Sequence, residues 1–266
     1  MIRPADIHAL ILDMDGVLWR GGELLPGVAS VFGVAGRRGL RMVIATNNAT
    51  VTAASVVGRL AQAGVTFPPE GVMTSAHAAA GYLRRTFQPP VRVFVIGEAP
   101  LIEALRQAGC ETVPGPDHPQ SVVVGMDRGL DWAKLTEATL AIRAGATFVG
   151  TNPDRTFPSE RGIGPGNGAI LAALEAATGI APTIVGKPEP HLFLESARRL
   201  TTDPAETLVV GDRLETDIVG GQRAGMPTAL LLSGVTSRQQ LDESQIHPDL
   251  VFEGLPEMTA WLESSG

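Results

Sequence analysis

The sequence predicts an α/β fold built on a parallel sheet, and three observations carry the prediction. Short apolar runs alternate with longer stretches of helical periodicity along most of the 266 residues, the pattern of repeated βαβ units. The length is enough for one large domain or two modest ones with a real hydrophobic core. The composition, 44% hydrophobic and 18% charged, is that of an ordered globular chain.

From the N-terminus, Ala9–Leu12 and Arg41–Ile44 read as buried strands, and residues 52–63 carry an apolar stripe at helical spacing with Gly64 placed as a C-terminal cap. The middle of the chain repeats the alternation on its own account, with strands expected at Val91–Ile96, Ser121–Val124 and Thr147–Val149. It reads as a second α/β unit bounded near residues 81 and 180, with loops marked by Gln88-Pro89-Pro90 and by residues 114–119. Beyond it, residues 190–200 form a second clear helical stripe, followed by strands at Thr207–Val210 and Thr228–Leu232. The glycine-rich stretch Gly162–Gly168 before the helical run 169–177 invites a dinucleotide-binding reading. That reading fails, because the last glycine of Gly-x-Gly-x-x-Gly is replaced by Asn167 and no strand stands immediately before the stretch.

Charge and cysteine content narrow the functional classes. With 21 basic and 28 acidic residues the net charge is -7, which argues against nucleic acid or an anionic membrane as partner. Cys110 is the single cysteine, so an internal disulfide and a thiolate metal cluster are both excluded. No apolar run approaches the roughly 20 residues that span a bilayer, and the segment before Asp13 is too short and too acidic for a signal peptide. A cytoplasmic protein is expected.

Four hydrophilic clusters sit at the ends of apolar runs. Asp13-Met14-Asp15-Gly16 follows the first strand; alone, it is either a site or a turn whose aspartates bond their own backbone. A calcium loop fits poorly, since Leu18 and Leu24 stand where glycine and glutamate are needed. Thr46-Asn47-Asn48 offers donors for phosphate oxygens, though taken alone it reads first as a helix cap. Lys187 precedes Pro188 and Pro190, which suit a helix start, and it lacks the Ser or Thr of a P-loop. Asp212 and Asp217 flank an acidic turn after the strand 207–210, where Asp217 could serve a helix N-terminus. In an open parallel sheet the C-terminal strand ends share one edge, where ligand sites form at the switch in strand order. Four separate structural explanations are therefore less economical than one site.

In order, these clusters resemble the four motifs of the haloacid dehalogenase (HAD) superfamily: Asp13-Met14-Asp15-Gly16-Val17, Thr46-Asn47-Asn48, Gly186-Lys187-Pro188 and Gly211 to Asp217. The Thr-Asn-Asn form, the long insert before the third motif and Gly150-Thr151-Asn152-Pro153-Asp154 are similar to the branch of NagD, 4-nitrophenylphosphatases and phosphoglycolate phosphatases. The resemblance implies a Rossmann-like core, 1–80 and 181–266, with a large inserted α/β cap at 81–180 and dimerisation through the cap as a branch property.

It also implies a Mg²⁺-dependent phosphatase. Mg²⁺ would be bound by the Asp13 carboxylate, the Asp15 backbone carbonyl and Asp212, with Asp217 in support. Asp13 would be the nucleophile that forms an aspartyl phosphate and Asp15 the acid and base. Thr46, Asn47, Asn48 and Lys187 would hold the phosphoryl group. Members that cleave carbon–halogen bonds or pump ions generally lack an acid at the place of Asp15. A phosphomutase would keep it, and a non-catalytic phosphate-binding protein on the same fold is the alternative from another class. For the substrate, a small phosphorylated metabolite such as phosphoglycolate or glycerol phosphate is expected, with 4-nitrophenyl phosphate as an artificial one. The loop 152–157 and the turn 166–168 are expected to select it from the cap, through Asn152, Asp154, Arg155, Phe157 and Asn167. Pyridoxal phosphatases of the branch have a histidine where this chain has Phe157, which disfavours that vitamin ester.

Overall fold

The computed structural model describes residues 2–115, 117–159 and 162–264; Pro116, within the loop expected at 114–119, lies outside them. The chain forms two compact units, one of Met1–Thr46, Ala53–Met73 and Lys187–Gly266, the other of Asn47–Thr52 and Thr74–Gly186.

The first unit is organised by a six-stranded sheet in the order Leu250–Phe252, Thr228–Leu231, Thr207–Gly211, Ala9–Leu12, Arg41–Thr46, Val72–Thr74. Ala9–Leu12 is entirely inaccessible and pairs in parallel with both Arg41–Ile44 and Thr207–Val210, which is why it reads as a continuous apolar run rather than an alternating one. Numbered along the chain the strand order is 6-5-4-1-2-3, the doubly wound order whose switch point lies between the first and fourth strands. Those two strands deliver Asp13 and Asp212.

Flanking helices follow their apolar stripes. Ala53–Gln62 buries Val56 and Leu60 one turn apart, and His191–Leu200 buries Leu192, Phe193, Ser196 and Ala197 along one face. Gly64 adopts the left-handed conformation expected of a C-terminal cap. A small antiparallel hairpin, Trp19–Arg20 with Glu23–Leu24, leaves the first motif and was not foreseen.

The second unit has its own five-stranded parallel sheet, ordered Thr183–Ile184, Thr147–Gly150, Ser121–Val124, Val91–Ile96, Cys110–Val113. Its core joins Phe94, Ile96, Val122, Val124, Phe148 and Leu171 with residues of the helices Trp132–Arg143 and Asn167–Thr178. Helix Ser75–Thr86 packs on Ala99–Gln107 and Thr183–Ile184 pairs with Val149–Gly150, so this unit reaches past residues 81 and 180 at both ends.

Two local expectations are corrected. Gly162–Pro165 is a strand, antiparallel to Thr156–Ser159, so Phe157 lies in a hairpin strand rather than a loop. Asn167 is not in a turn: it opens the helix Asn167–Thr178, for which Gly166 is the N-cap. No helix among the described residues is long and apolar enough to cross a membrane.

Candidate active site

Within the first unit, the C-terminal edge of the sheet brings together Asp13, Asp212, Asp217 and Lys187. Asp13 continues its strand by one residue, its N–H donating to Val210 O at 2.8 Å. Asp212 follows Gly211 on the neighbouring strand. After it the chain turns through the π-helical segment Leu214–Ile218, a wider turn than the α-helix expected there and one often found at functional positions. That turn brings Asp217 back toward the strand end, where its Oδ2 accepts the Arg213 N–H at 3.1 Å. Ligand-type oxygens of Asp13, Asp212 and Asp217 all lie within 4.8 Å of one another. Asp217 thus stands inside the carboxylate cluster, closer than a purely supporting role requires.

Lys187 is the counter-charge. Its Nζ donates to Asp13 Oδ1 and, at 2.6 Å, to Asp217 Oδ1. Burial would lower its pKa, but the charges of Asp13 and Asp217 outweigh burial and hold the ammonium above its usual range. One ammonium does not balance three carboxylates. Burial, opposed by Lys187 and reinforced by the charges of Asp217 and Asp212, pushes Asp13 up to about 8. Burial and the Asp217 charge likewise push Asp212 up to about 6, against the Val235 N–H that it accepts at 2.7 Å.

The cluster fits a hard divalent cation. Asp212 Oδ1 is buried with no hydrogen-bond partner among the described residues, whereas buried carboxylate oxygens are ordinarily paired. Two glycines make room around this carboxylate: a Cβ on Gly16 or on Gly234 would come within 2.1 or 2.0 Å of Asp212 Oδ2. At Gly16 the backbone also has φ +88°, which L side chains rarely adopt. An all-oxygen donor set with excess negative charge suits Mg²⁺ or Ca²⁺ rather than a softer metal.

Asp15 lies apart from this cluster. Its side chain is exposed, and its Oδ1 accepts the indole N–H of Trp19 at 3.0 Å. Thr46 ends its strand with its side chain buried. At the next residue the chain passes into the second unit. There Asn48 Oδ1 accepts from Thr50 N and Thr50 Oγ1 at 2.9 and 2.7 Å, a turn that ends before the helix Ala53–Gln62 rather than the helix cap of the alternative reading. Asn47 and Asn152 both donate to Asp154 Oδ2, at 3.4 and 2.5 Å.

Of the expected selectivity residues, Arg155 is exposed and Phe157 half-buried. Asn167 is 1% exposed, and its amide nitrogen donates to Asn152 O at 2.8 Å and Val124 O at 3.2 Å. It ties Thr151 and Asn152 to the strand end at Val124, a role its sequence context does not reveal. Sequence reasoning also missed Trp19 as a partner of Asp15 and Gly234 as a neighbour of Asp212. For Trp19 a signal existed, a donor four residues after the aspartate and beyond a glycine turn; for Gly234 none did.

Comparison with known proteins agrees with this geometry. Residues 10–111 match the haloacid dehalogenase-like hydrolase family, and residues 184–258 match a second family described as HAD-hydrolase-like. An acid sugar phosphatase from Staphylococcus aureus is 35% identical over 255 residues, 96% of this chain and 98% of the relative. Among solved structures, a p-nitrophenyl phosphatase from Archaeoglobus fulgidus superposes with a TM-score of 0.89 at 33% identity, covering 96% of this chain and 99% of that one. A glycerol phosphate phosphatase from Mycobacterium tuberculosis, in complex with magnesium, does so with a TM-score of 0.87 at 36% identity, covering 97% and 78%. With Asp13, Lys187, Asp212 and Asp217 brought together in the first unit and relatives of this identity along nearly its whole length, the chain belongs to the haloacid dehalogenase-like hydrolases.

Proposed function

We propose that this protein is a Mg²⁺-dependent phosphatase of small soluble phosphomonoesters, working through an aspartyl phosphate on Asp13. The observation that carries the reading is the buried ammonium of Lys187 held between Asp13 and Asp217, beside an Asp212 oxygen that lacks a hydrogen-bond partner. Such a site orients one carboxylate as a nucleophile and retains net negative charge for a cation. The phosphatase names of the relatives and the magnesium complex of one of them support it.

Asp13 and Asp212, with the Asp15 backbone carbonyl, would hold Mg²⁺, and Asp217 lies close enough to join them. When bound, the ion supplies charge neutralisation and orientation of the transferring phosphoryl group. In the first step a bond forms between an Asp13 oxygen and phosphorus, the ester P–O bond breaks, and Asp15 gives its proton to the leaving oxygen. In the second, water attacks phosphorus, its proton passes to Asp15, and the Asp13–phosphorus bond breaks to release inorganic phosphate. Lys187 keeps the Asp13 side chain in place and offsets charge throughout, with Thr46, Asn47 and Asn48 supplying donors to the phosphoryl oxygens.

Substrate selection is assigned to the second unit, acting as the cap, with Asn152, Asp154, Arg155 and Phe157 as the contacts. The substrate class is a small polar monoester such as phosphoglycolate, glycerol phosphate or a sugar phosphate. A cytoplasmic setting and a homodimer formed through the second unit complete the reading. The test is phosphate release from 4-nitrophenyl phosphate and glycerol phosphate, with Mg²⁺ and with excess chelator. Release that needs Mg²⁺ and disappears in a folded Asp13→Asn variant is expected. Substantial turnover by that variant would remove Asp13 as nucleophile, and phosphate delivered to a second organic acceptor in place of water would make the protein a phosphotransferase.

A further inference from the structure

We infer that Trp19 is a positioning residue for the acid–base step: its indole N–H orients the Asp15 carboxyl, and Arg59 locks the indole in place. The inference rests on the phosphatase reading of Asp13 and Asp15. Asp15 is exposed, and an exposed carboxyl at the mouth of a turn ordinarily samples several rotamers. Here its Oδ1 accepts the Trp19 indole N–H at 3.0 Å, while Oδ2 has no partner among the described residues. One oxygen is anchored and the other is left for proton transfer.

The anchor itself is rigid. Trp19 is 2% exposed and closes the turn that begins at Asp13, with Gly16 N donating to Trp19 O at 2.7 Å and Trp19 N donating to Met14 O at 3.3 Å. It then enters the short hairpin, where Trp19 pairs with Leu24. From the helix Ala53–Gln62, Arg59 places its guanidinium 4.3 Å from the Trp19 ring centroid and donates to Gly21 O at 2.5 Å, gripping the hairpin at ring and backbone together. Period-two alternation sends the next residue the other way. Arg20 donates to Ser233 O, next to the Gly234 and Val235 that surround Asp212. The hairpin is thus tied on one side to the acid–base carboxyl and on the other to the loop that shapes the candidate cation site.

A buried indole N–H also needs a partner for stability alone, so the test must separate support of the fold from support of the chemistry. Trp19→Phe keeps a ring under Arg59 and removes the donor. We expect kcat for glycerol phosphate, whose alkoxide leaves poorly, to fall about 10- to 100-fold, a part of the roughly 10²- to 10⁴-fold that a positioned acid supplies. With 4-nitrophenyl phosphate, whose leaving group needs little protonation, the phosphorylation step measured by rapid quench should change less than about threefold, and KM for both should hold. In an Asp15→Asn background Trp19→Phe should add nothing, because the two act as one unit. Equal losses with both substrates, or additive losses in the double variant, would overturn the inference while leaving the phosphatase reading intact. A wild-type protein without Mg²⁺-dependent phosphatase activity would overturn both. Should Trp19→Phe fail to fold, Arg59→Met, which leaves the donor in place but loosens the hairpin, decides the matter: a loss confined to the poor leaving group supports the inference, and no loss overturns it.

Discussion

The two units are built alike and charged differently. Each is a parallel sheet with polar residues at the C-terminal strand ends, yet the ion pairs that Lys187 makes at the strand ends of the first are largely buried on both sides, while the pairs Lys134–Asp127 and Arg128–Glu98 of the second keep one partner toward solvent. Lys187, with a side chain 5% exposed, meets Asp13 and Asp217 at 12% and 1%. In the second unit Lys134 meets Asp127 at 2.7 Å, but the lysine is 38% exposed, and Arg128 pairs with Glu98 at 69% exposure. Just past its strand ends the second unit buries the neutral Thr151 and the carboxylate of Asp127, which has Lys134 to itself and accepts the Gly129 N–H at 2.9 Å. The same architecture therefore crowds three carboxylates around one lysine in the first unit and gives the buried carboxylate of the second a lysine of its own, which is the division expected between a reaction centre and a scaffold.

Removing the lysine from each unit should give the largest contrast. Lys187→Met leaves two buried carboxylates without their cation, a change that costs on the order of 3–5 kcal/mol, and activity should vanish with it. Lys134→Met breaks a pair with one partner near solvent and should cost about 1 kcal/mol or less, with turnover unchanged. Chemical denaturation and phosphate release measure both. Equal destabilisation would show that the burial of Lys187 does not set it apart.

Next in size is the room made for Asp212. Gly234→Ala would put a Cβ 2.0 Å from the Asp212 carboxylate and force it to move. The variant should fold, yet lose most of the thermal stabilisation that Mg²⁺ gives the wild type, with Mg²⁺ affinity reduced about 10- to 100-fold, the scale of losses when the setting of a metal ligand is disturbed. A melting-temperature titration with Mg²⁺ reads this directly, and an unchanged titration would detach Gly234 from the cation site.

How much of this was legible in the sequence depends on how local the cause is. Ala9–Leu12 and Ser121–Val124 are buried on both faces, so their apolar runs announce them, and the polar residues just past such runs marked the site. Cys110–Val113 lies at the end of its sheet, with Glu111 exposed, and presents no continuous run to find. The hairpin of Thr156–Ser159 and Gly162–Pro165 hides behind its own glycines and prolines, which read as loop. Asp217 lies five residues after Asp212, a spacing that an α-helical start would turn elsewhere; the π-helical turn that returns it to the cluster depends on packing around Gly211, where an added Cβ would collide with the Asp217 side chain. Trp19 was visible as a bulky apolar residue, but the use of its N–H depends on a turn geometry that residue spacing does not specify.

The buried amide of the second unit should show a stability effect without a change in selectivity. Asn167→Ala strips a donor from Asn152 O, and leaving that carbonyl unpaired costs about 1–3 kcal/mol, whereas Val124 O keeps the Thr151 N–H at 2.9 Å. Because Asn167 is inaccessible, the order of kcat/KM across a panel of phosphorylated metabolites should survive its loss. A reordered panel would return Asn167 to the selectivity surface.

The smallest effect is expected at Arg155, the cation among the proposed selectivity residues. Its side chain is exposed, so any contact it makes with a substrate carboxylate is screened by water and worth about 0.2–1 kcal/mol, equivalent to roughly 1.5- to 5-fold in kcat/KM at 25 °C. The sign is fixed by charge. Arg155→Ala should lower kcat/KM for phosphoglycolate, whose leaving portion carries a carboxylate, and leave glycerol phosphate, whose leaving portion is neutral, within error. The ratio of the two removes shared effects on folding, cation binding and chemistry, since on the proposed reading both substrates would use the same Asp13 and the same phosphoryl donors. Raising ionic strength should shrink the wild-type preference toward that of the variant, because an exposed pair is screened within about 8–10 Å at physiological salt. A ratio that stays constant through both the substitution and the salt series would place carboxylate recognition away from Arg155, with Asn152 the next residue to substitute.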